Sequence, residues 1–243
     1  MTPGAAERHP TGSVDRFRDM VVPDSGFGED DGSAPVELAA ALAGHPPETA
    51  AVVAALRGER LLVALVAVLE SVDPIGSEKD SHMAAAMMTR EDGRKALLAF
   101  SSVAALALWR NDARPLPVAA LDVARAALED GAEAVVIDIA GPTQFALSGP
   151  ALWAVAEGRA LRAPWLDPEV ESAVANAVDA ELAGTGFRID PGEDTDVVIV
   201  LTAGRTPLDP RGITALASRL SADPVLRSRL GRGLAIGVES PEH

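Results

Sequence analysis

A mixed α/β fold is predicted for this chain: a small mixed sheet with flanking helices over residues 34–160, and a second, smaller α/β unit over 166–240. Three observations carry the prediction. Apolar runs of strand length recur at 61–69, 134–139, 197–201 and 234–238, and the first is continuous enough for a strand buried on both faces. Helix-start signals stand between them, sharpest at Asp167-Pro168, Asp209-Pro210 and Asp223-Pro224, where an N-cap carboxylate precedes a proline at the first helical position. Finally, Asp92-Gly93 separates two apolar runs, the strongest short-range signal for a hairpin.

The elements follow in order. Residues 1–33 are rich in Gly, Pro, Ser, Asp and Glu and end in the acidic block 28–32. Such a segment buries too little to offset its ordering entropy, so a disordered acidic tail is expected. Two short helices follow, 35–42 before Gly44 and 47–56 before Gly58. The run 61–69 is a strand, and 71–81, with Pro74 and Gly76, is a polar loop. Residues 83–89 and 95–100 form the hairpin around Asp92-Gly93. Ser101 or Ser102 then caps a helix reaching about Arg110, ended by Asn111 and Pro115. A further helix is expected over 117–130, with Leu121, Ala124 and Leu128 on one face and Gly131 as its stop. Residues 134–139 are a strand, Gly141-Pro142 turns the chain, 144–147 pairs back, and a helix over 150–158 closes the unit.

In the second unit, Val170, Val174, Val178 and Leu182 recur every four residues after Asp167-Pro168-Glu169. That spacing defines the buried stripe of a helix, stopped by Gly184 and Gly186. Residues 187–189 and 197–201 read as strands joined by an acidic turn, two helices follow their Asp-Pro starts, and 234–238 is the last strand.

Composition narrows the chemistry. A chain of 243 residues with 48% hydrophobic residues can bury a sizeable core. Its formal charge of −15 opposes non-specific binding to nucleic acid and to anionic membranes, so neither partner is expected. Cysteine is absent, which removes disulfides, thiol nucleophiles, iron–sulfur clusters and Cys-ligated zinc. The longest apolar run, 96–109, falls short of the roughly 20 residues of a membrane-spanning helix. The first ten residues lack the apolar stretch of a secretory signal. A cytoplasmic protein is expected. The histidines, His9, His45, His82 and His243, have no partner at ligand spacing, so neither a metal nor a cofactor is expected. Gly26-x-Gly28 runs into acids, and Gly231-x-Gly233 precedes a strand rather than following one; neither has the context of a phosphate-binding turn.

A few groupings remain. Asp190, Glu193, Asp194 and Asp196 form an acidic turn that lacks EF-hand spacing and reads as a solvated hairpin end. Arg211, Arg219, Arg227, Arg229 and Arg232 crowd the last helices, while Arg90, Arg94, Lys95, Arg110 and Arg114 surround the first hairpin. Guanidinium groups chelate carboxylates, so Arg227, Arg229 and Arg232 are candidate partner contacts. An internal partner is one option, with Glu29, Asp30 and Asp31 of the tail lying on an Arg cluster. A small-molecule or enzyme site would instead gather Lys79, His82, Arg94 and Asp138, of which Lys79 is one of only two lysines.

Several of these stretches occur together in a known family: Glu78-Lys79-Asp80-Ser81-His82-Met83-Ala84, Asp92-Gly93-Arg94, Ala99-Phe100-Ser101-Ser102, Leu108-Trp109, Ala113-Arg114-Pro115, and Asp138 with Gly141-Pro142. In that order they resemble the N-terminal domain of the SseB family, named for enhanced serine sensitivity, in its actinobacterial form. The resemblance covers about 27–160 and departs at Ser101, where the family more often has Thr. Residues 166–240 do not resemble the C-terminal domain of the enterobacterial members. The family has no established enzymatic activity, so the resemblance implies a module whose mechanism is open. The leading expectation is a non-catalytic binding or regulatory protein that acts through protein contacts.

Overall fold

A computed structural model of the chain describes residues 27, 30–69, 81–202 and 208–239. It is mixed α/β and divides into two compact units between Ala160 and Leu161.

In the first unit two short helices, α1 (Val36–Leu42) and α2 (Thr49–Ala55), lead into strand β1 (Arg60–Leu69). Two further strands, β2 (Ser81–Ala85) and β3 (Met87–Thr89), precede β4 (Lys95–Phe100). Next come α3 (Val103–Trp109), β5 (Arg114–Ala119), α4 (Ala120–Glu129), β6 (Ala134–Ile137), β7 (Phe145–Ser148) and α5 (Gly149–Ala156). These strands form one sheet along the path β2-β1-β4-β6-β7, with β5 on β1 and β3 on β4. β4 and β6 run parallel, and the other pairs are antiparallel.

The central strands are the most apolar. Leu97, Leu98, Ala99 and Phe100 of β4 are all buried, as expected for a strand with neighbours on both edges and cover on both faces. One core layer gathers Leu62, Ala64, Leu98, Phe100 and Leu106, and Phe100 meets Trp109 at a centroid distance of 5.5 Å.

Four expectations are corrected. The hairpin around Asp92-Gly93 forms, but only 87–89 pair with β4; residues 81–85 pair with β1. Ala86 stands at the fork, its N–H donating to Ala64 and its carbonyl accepting from Leu98, so the chain serves both neighbours where β1 and β4 part. Second, the helix expected from 117 starts at Ala120, because 114–119 are strand β5. Ala64 gives its carbonyl to Ala86, so Pro115 opposite it needs no donor, and Pro117, two residues on, repeats that parity. Prolines on the outer rim of an edge strand cost no ladder bond. Third, the later start rotates the buried face of α4 to Ala120, Val123, Ala124 and Ala127. Of the face expected from sequence only Ala124 is fully buried, with Leu121 and Leu128 half-buried. Fourth, the strand over 134–139 stops at Ile137 because Asp138 turns into the left-handed region at φ 54°. The loop expected over 71–81 lies outside the described residues, Ser81 excepted.

The second unit begins with a 3-10 turn (Pro164–Leu166) and α6 (Pro168–Glu181), which Asp167 caps by accepting the Glu169 N–H. An antiparallel pair follows, β8 (Gly186–Pro191) and β9 (Val197–Thr202). Helices α7 (Pro210–Ala222) and α8 (Pro224–Arg229) then cross over to β10 (Leu234–Glu239), which lies parallel to β9. Val170, Val174, Val178 and Leu182 are all buried against Ile199, Leu201, Leu216 and Leu220. The four-residue stripe read from sequence is thus the seam of this core.

Candidate functional site

The polar groups of the first unit gather at the carboxyl ends of its two parallel strands, a position where open α/β sheets commonly place their sites. Ser101 follows directly on β4, and Ser102 caps α3 by accepting the Ala105 N–H at 3.1 Å. Asp138 follows directly on β6, and its carboxylate accepts the Ser101 N–H at 2.8 Å and the Ser101 hydroxyl at 2.6 Å. Both residues are buried. Gly141 closes the turn by donating its N–H to the Asp138 carbonyl at 2.8 Å, and a Cβ at Gly141 would meet that same oxygen at 3.2 Å. The close approach explains the glycine.

β1 runs antiparallel to β4, so its first residue, Arg60, arrives at this same end. Arg60 is only 3% exposed, and a buried guanidinium requires partners. It donates from Nη1 to the Ser101 carbonyl at 2.5 Å and from Nη2 to the Ser33 carbonyl at 2.5 Å. It also grips Asp30 with two parallel bonds, Nε to Oδ2 at 2.5 Å and Nη2 to Oδ1 at 2.8 Å. This bond from Arg60, helped by the Gly32 N–H, holds the Asp30 carboxyl below its ordinary value. Asp30–Arg60–Ser101–Asp138 is therefore one connected network, with the N-terminal arm as its outer member.

Its chemistry is that of a pin. The Ser101 hydroxyl donates to a carboxylate, but a serine nucleophile needs a base of matched pKa and an orienting third group. Both oxygens of Asp138 are occupied by Ser101.

The residues expected from sequence are placed as follows. Lys79 lies outside the described residues. His82 lies on β2 opposite Val68, and its side chain is outside the description. Arg94 is on the hairpin turn, where it donates to Asp92 at 2.7 Å; the Arg94 N–H and guanidinium together lower the Asp92 pKa. Arg94 precedes β4 whereas Asp138 sits beside the residue that follows it. The six residues of that strand separate them by about 20 Å, so Arg94 and Asp138 do not share a site.

In the second unit Arg229, buried beneath α6, reaches the capping Asp167 and the Glu169 carboxylate. Arg232 holds the acidic turn by donating to the carbonyls of Glu193 at 3.1 Å and Thr195 at 3.0 Å. Asp196 in return accepts the N–H groups of Gly231 and Arg232 at 2.7 and 2.6 Å. Arg219 pairs with Glu181 at 2.7 Å, and Arg227 is exposed on α8. Much of this cluster thus serves its own unit. A tail acid does meet an arginine, but Asp30 meets Arg60, which belongs to neither sequence cluster. Glu29 lies outside the described residues, and Asp31 caps the Ser33 N–H at 2.8 Å.

Among the described residues no three His, Asp or Glu side chains stand close enough to hold a metal ion. A surface depression of about 340 Å³ lies between Leu56, Arg57, Leu121 and Val155 and contains no acid–base pair. The more distinctive surface is apolar. α3 has no polar side chain from Val103 to Trp109, and with Leu106 buried it turns Val103 (42% exposed), Ala104, Ala107 and Leu108 (65% exposed) to solvent. Sequence reading missed both Arg60 and this face. The signal for Arg60 was a lone charge at the mouth of a run of apolar residues; for α3, a helix with apolar residues all round and nothing assigned to cover it.

Residues 36–154 match the family model described as the SseB protein N-terminal domain. No curated protein and no solved structure matches the chain.

Proposed function

We propose, on the match of residues 36–154 to the SseB protein N-terminal domain model, that the chain is a non-catalytic binding or regulatory module acting through protein contacts. The observation that carries the reading is the outer face of α3, where Val103, Ala104, Ala107 and Leu108 face water with no polar side chain among them. Exposed apolar residues grouped on one helix face mark interaction surfaces. The charged groups at the strand ends are engaged by one another, which supports a scaffold role over chemistry. A formal charge of −15 favours a basic protein partner by long-range attraction and disfavours nucleic acid. The module is assigned to the cytoplasm, and no helix among the described residues is long and apolar enough to cross a membrane. The domain is taken as 34–160, following the tail 1–33 and preceding a unit over 166–240. The alternative, a small-molecule or enzyme site near Lys79, His82, Arg94 and Asp138, needs these groups in one cavity, and about 20 Å of strand stands between Arg94 and Asp138.

The test is a parallel capture with wild type and Leu108→Asp as full-length baits, followed by a binding measurement on each purified protein retained. Leu108 is on the surface, so the variant should keep the wild-type unfolding midpoint. A partner that loses at least tenfold in affinity for Leu108→Asp supports the reading. Equal affinity for both baits removes α3 as the docking face. A metabolite that raises the midpoint of wild type but not of Asp138→Ala would replace the proposal with the small-molecule reading.

A further inference from the structure

The sheet of the second unit ends in a strand whose outer edge is unpaired. β10 is bonded to β9 along its whole length and stands last in the order β10-β9-β8. The Gly233 carbonyl turns toward β9, where it accepts the Asp196 N–H at 3.0 Å. Backbone groups alternate sides along a strand, so those of Leu234, Ile236 and Val238 point outward. Among the described residues nothing bonds them on that side. Strand edges are ordinarily blunted by proline or by charge. β5 in the first unit carries Pro115 and Pro117, and β8, at the other edge of this sheet, carries Arg188, Asp190 and Pro191. β10 has neither device before Glu239 at its last position. Val238 on the same strand is 50% exposed, an apolar side chain left open beside an open backbone edge.

We propose that β10 pairs antiparallel with β10 of a second copy of this chain, about a two-fold axis at Ile236. The register follows from which backbone groups point outward. Ile236 stands opposite the partner's Ile236, and Leu234 opposite the partner's Val238. Each outward residue then faces another and exchanges both of its hydrogen bonds with it. A centre at Gly237 instead would carry Leu234 past the end of the partner strand. The side chains agree with the first register. Leu234 and Ile236 already pack on the helix-side core, and the partner's Leu234 extends that apolar row over the exposed Val238. Charge agrees as well: Glu239 falls opposite the partner's Gly233, beside its Arg232, and not opposite its own copy. Two chains of formal charge −15 repel at long range, so added salt should tighten this pair. The edge contains no residue of α3, so it stands or fails apart from the docking function proposed above.

Sedimentation of the purified full-length chain tests the pairing. One strand edge buries less than about 1,200 Å², the range of weak complexes, so wild type should dimerise at concentrations on the order of 100 µM and dissociate on dilution by about a hundredfold. Val238→Pro removes an outward N–H and no bond to β9, and it should weaken the dimer at least tenfold. Val238→Thr and Leu108→Asp should leave the dimer unchanged. A wild type that stays monomeric at the higher concentration overturns the proposal. So does a dimer that survives Val238→Pro, or one that Leu108→Asp dissolves. Cysteine pairing reads the register whatever Val238→Pro does to folding, because the chain has no cysteine of its own. The register sets Ala235 opposite the partner's Gly237, a pair without mutual hydrogen bonds whose Cα atoms stand about 4.5 Å apart, within disulfide reach. A Cβ at Gly237 meets only a γ-methyl of Val198 at 3.9 Å, an ordinary contact. Ala235→Cys mixed with a tagged Gly237→Cys and oxidised should give the mixed disulfide at several times the yield of either homodimer. Equal yields overturn the pairing.

Discussion

Ser101 shows how one residue joins two parts of the first unit. Its carbonyl accepts from Arg60, while its N–H and hydroxyl both donate to Asp138. Asp138 adopts a left-handed backbone at φ 54°, a conformation that costs a non-glycine residue of order 1 kcal/mol; the two bonds from Ser101 offset that cost. Removing the hydroxyl strands a buried carboxylate oxygen, so Ser101→Ala should destabilise the protein by about 1–2 kcal/mol, measured as a lower urea midpoint at unchanged slope. Ser101→Thr keeps the donor, so its midpoint should stay near wild type. A loss as large as that of alanine would mean that packing, and not the hydrogen bond, sets the value of this position.

Among the elements, α6 and α7 were the most legible in sequence and α4 the least. Proline after a capping aspartate starts α6, α7 and α8 where the sequence places them, because cap and proline act within one turn. The α6 stripe was legible for a related reason: a four-residue repeat needs only helical periodicity. α4 failed because residues 117–119 were claimed by β1, and pairing across a sheet has no local sequence signature. The α6–α7 seam yields a quantitative expectation. Leu216 is fully buried on α7, so Leu216→Ala should cost about 3 kcal/mol. Hydrogen exchange of the α6 and α7 amides, together with the unfolding midpoint, would read it. A loss under about 1 kcal/mol would show that the surrounding side chains collapse into the space left.

At the scale of the whole molecule the acidic balance sets the response to pH. Asp30, Asp31, Asp92 and Asp112 all have folded pKa values below the ordinary 3.8. The leading causes are bonds from Arg60 to Asp30, from the Ser33 side chain and then its N–H to Asp31, from the Arg94 N–H to Asp92, and from Arg110 to Asp112. A carboxylate whose folded pKa is depressed stabilises the fold above its unfolded pKa and loses that contribution as pH falls through the folded value. Stability should therefore be level from neutral pH to about 5 and decline below about 4. Asp31, Asp92 and Asp112 lie open to solvent, where screening leaves each pair little weight, so Asp30 should dominate. An acid titration of the unfolding midpoint would test this, with Asp30→Asn expected to flatten the decline. An equally steep decline in that variant would assign the acid sensitivity to other groups.

The amino-acid sequence determined by itself whatever depends on near neighbours along the chain: the mixed α/β class, the capped helix starts, the buried stripe of α6, the Asp92-Gly93 turn and the SseB-like resemblance over the middle of the chain. Only the tertiary structure decided which strands meet, and with that which charges meet. Arg60, Ser101 and Asp138 stand far apart in sequence, and Arg94 and Asp138 looked equally available. Antiparallel β1 brings Arg60 to the end of β4 where Asp138 stands, and the length of β4 itself carries Arg94 away from it. The physical reason is that a buried charge is satisfied by whatever the fold places within about 3 Å of it, and that distance is set by strand register, which no local pattern records.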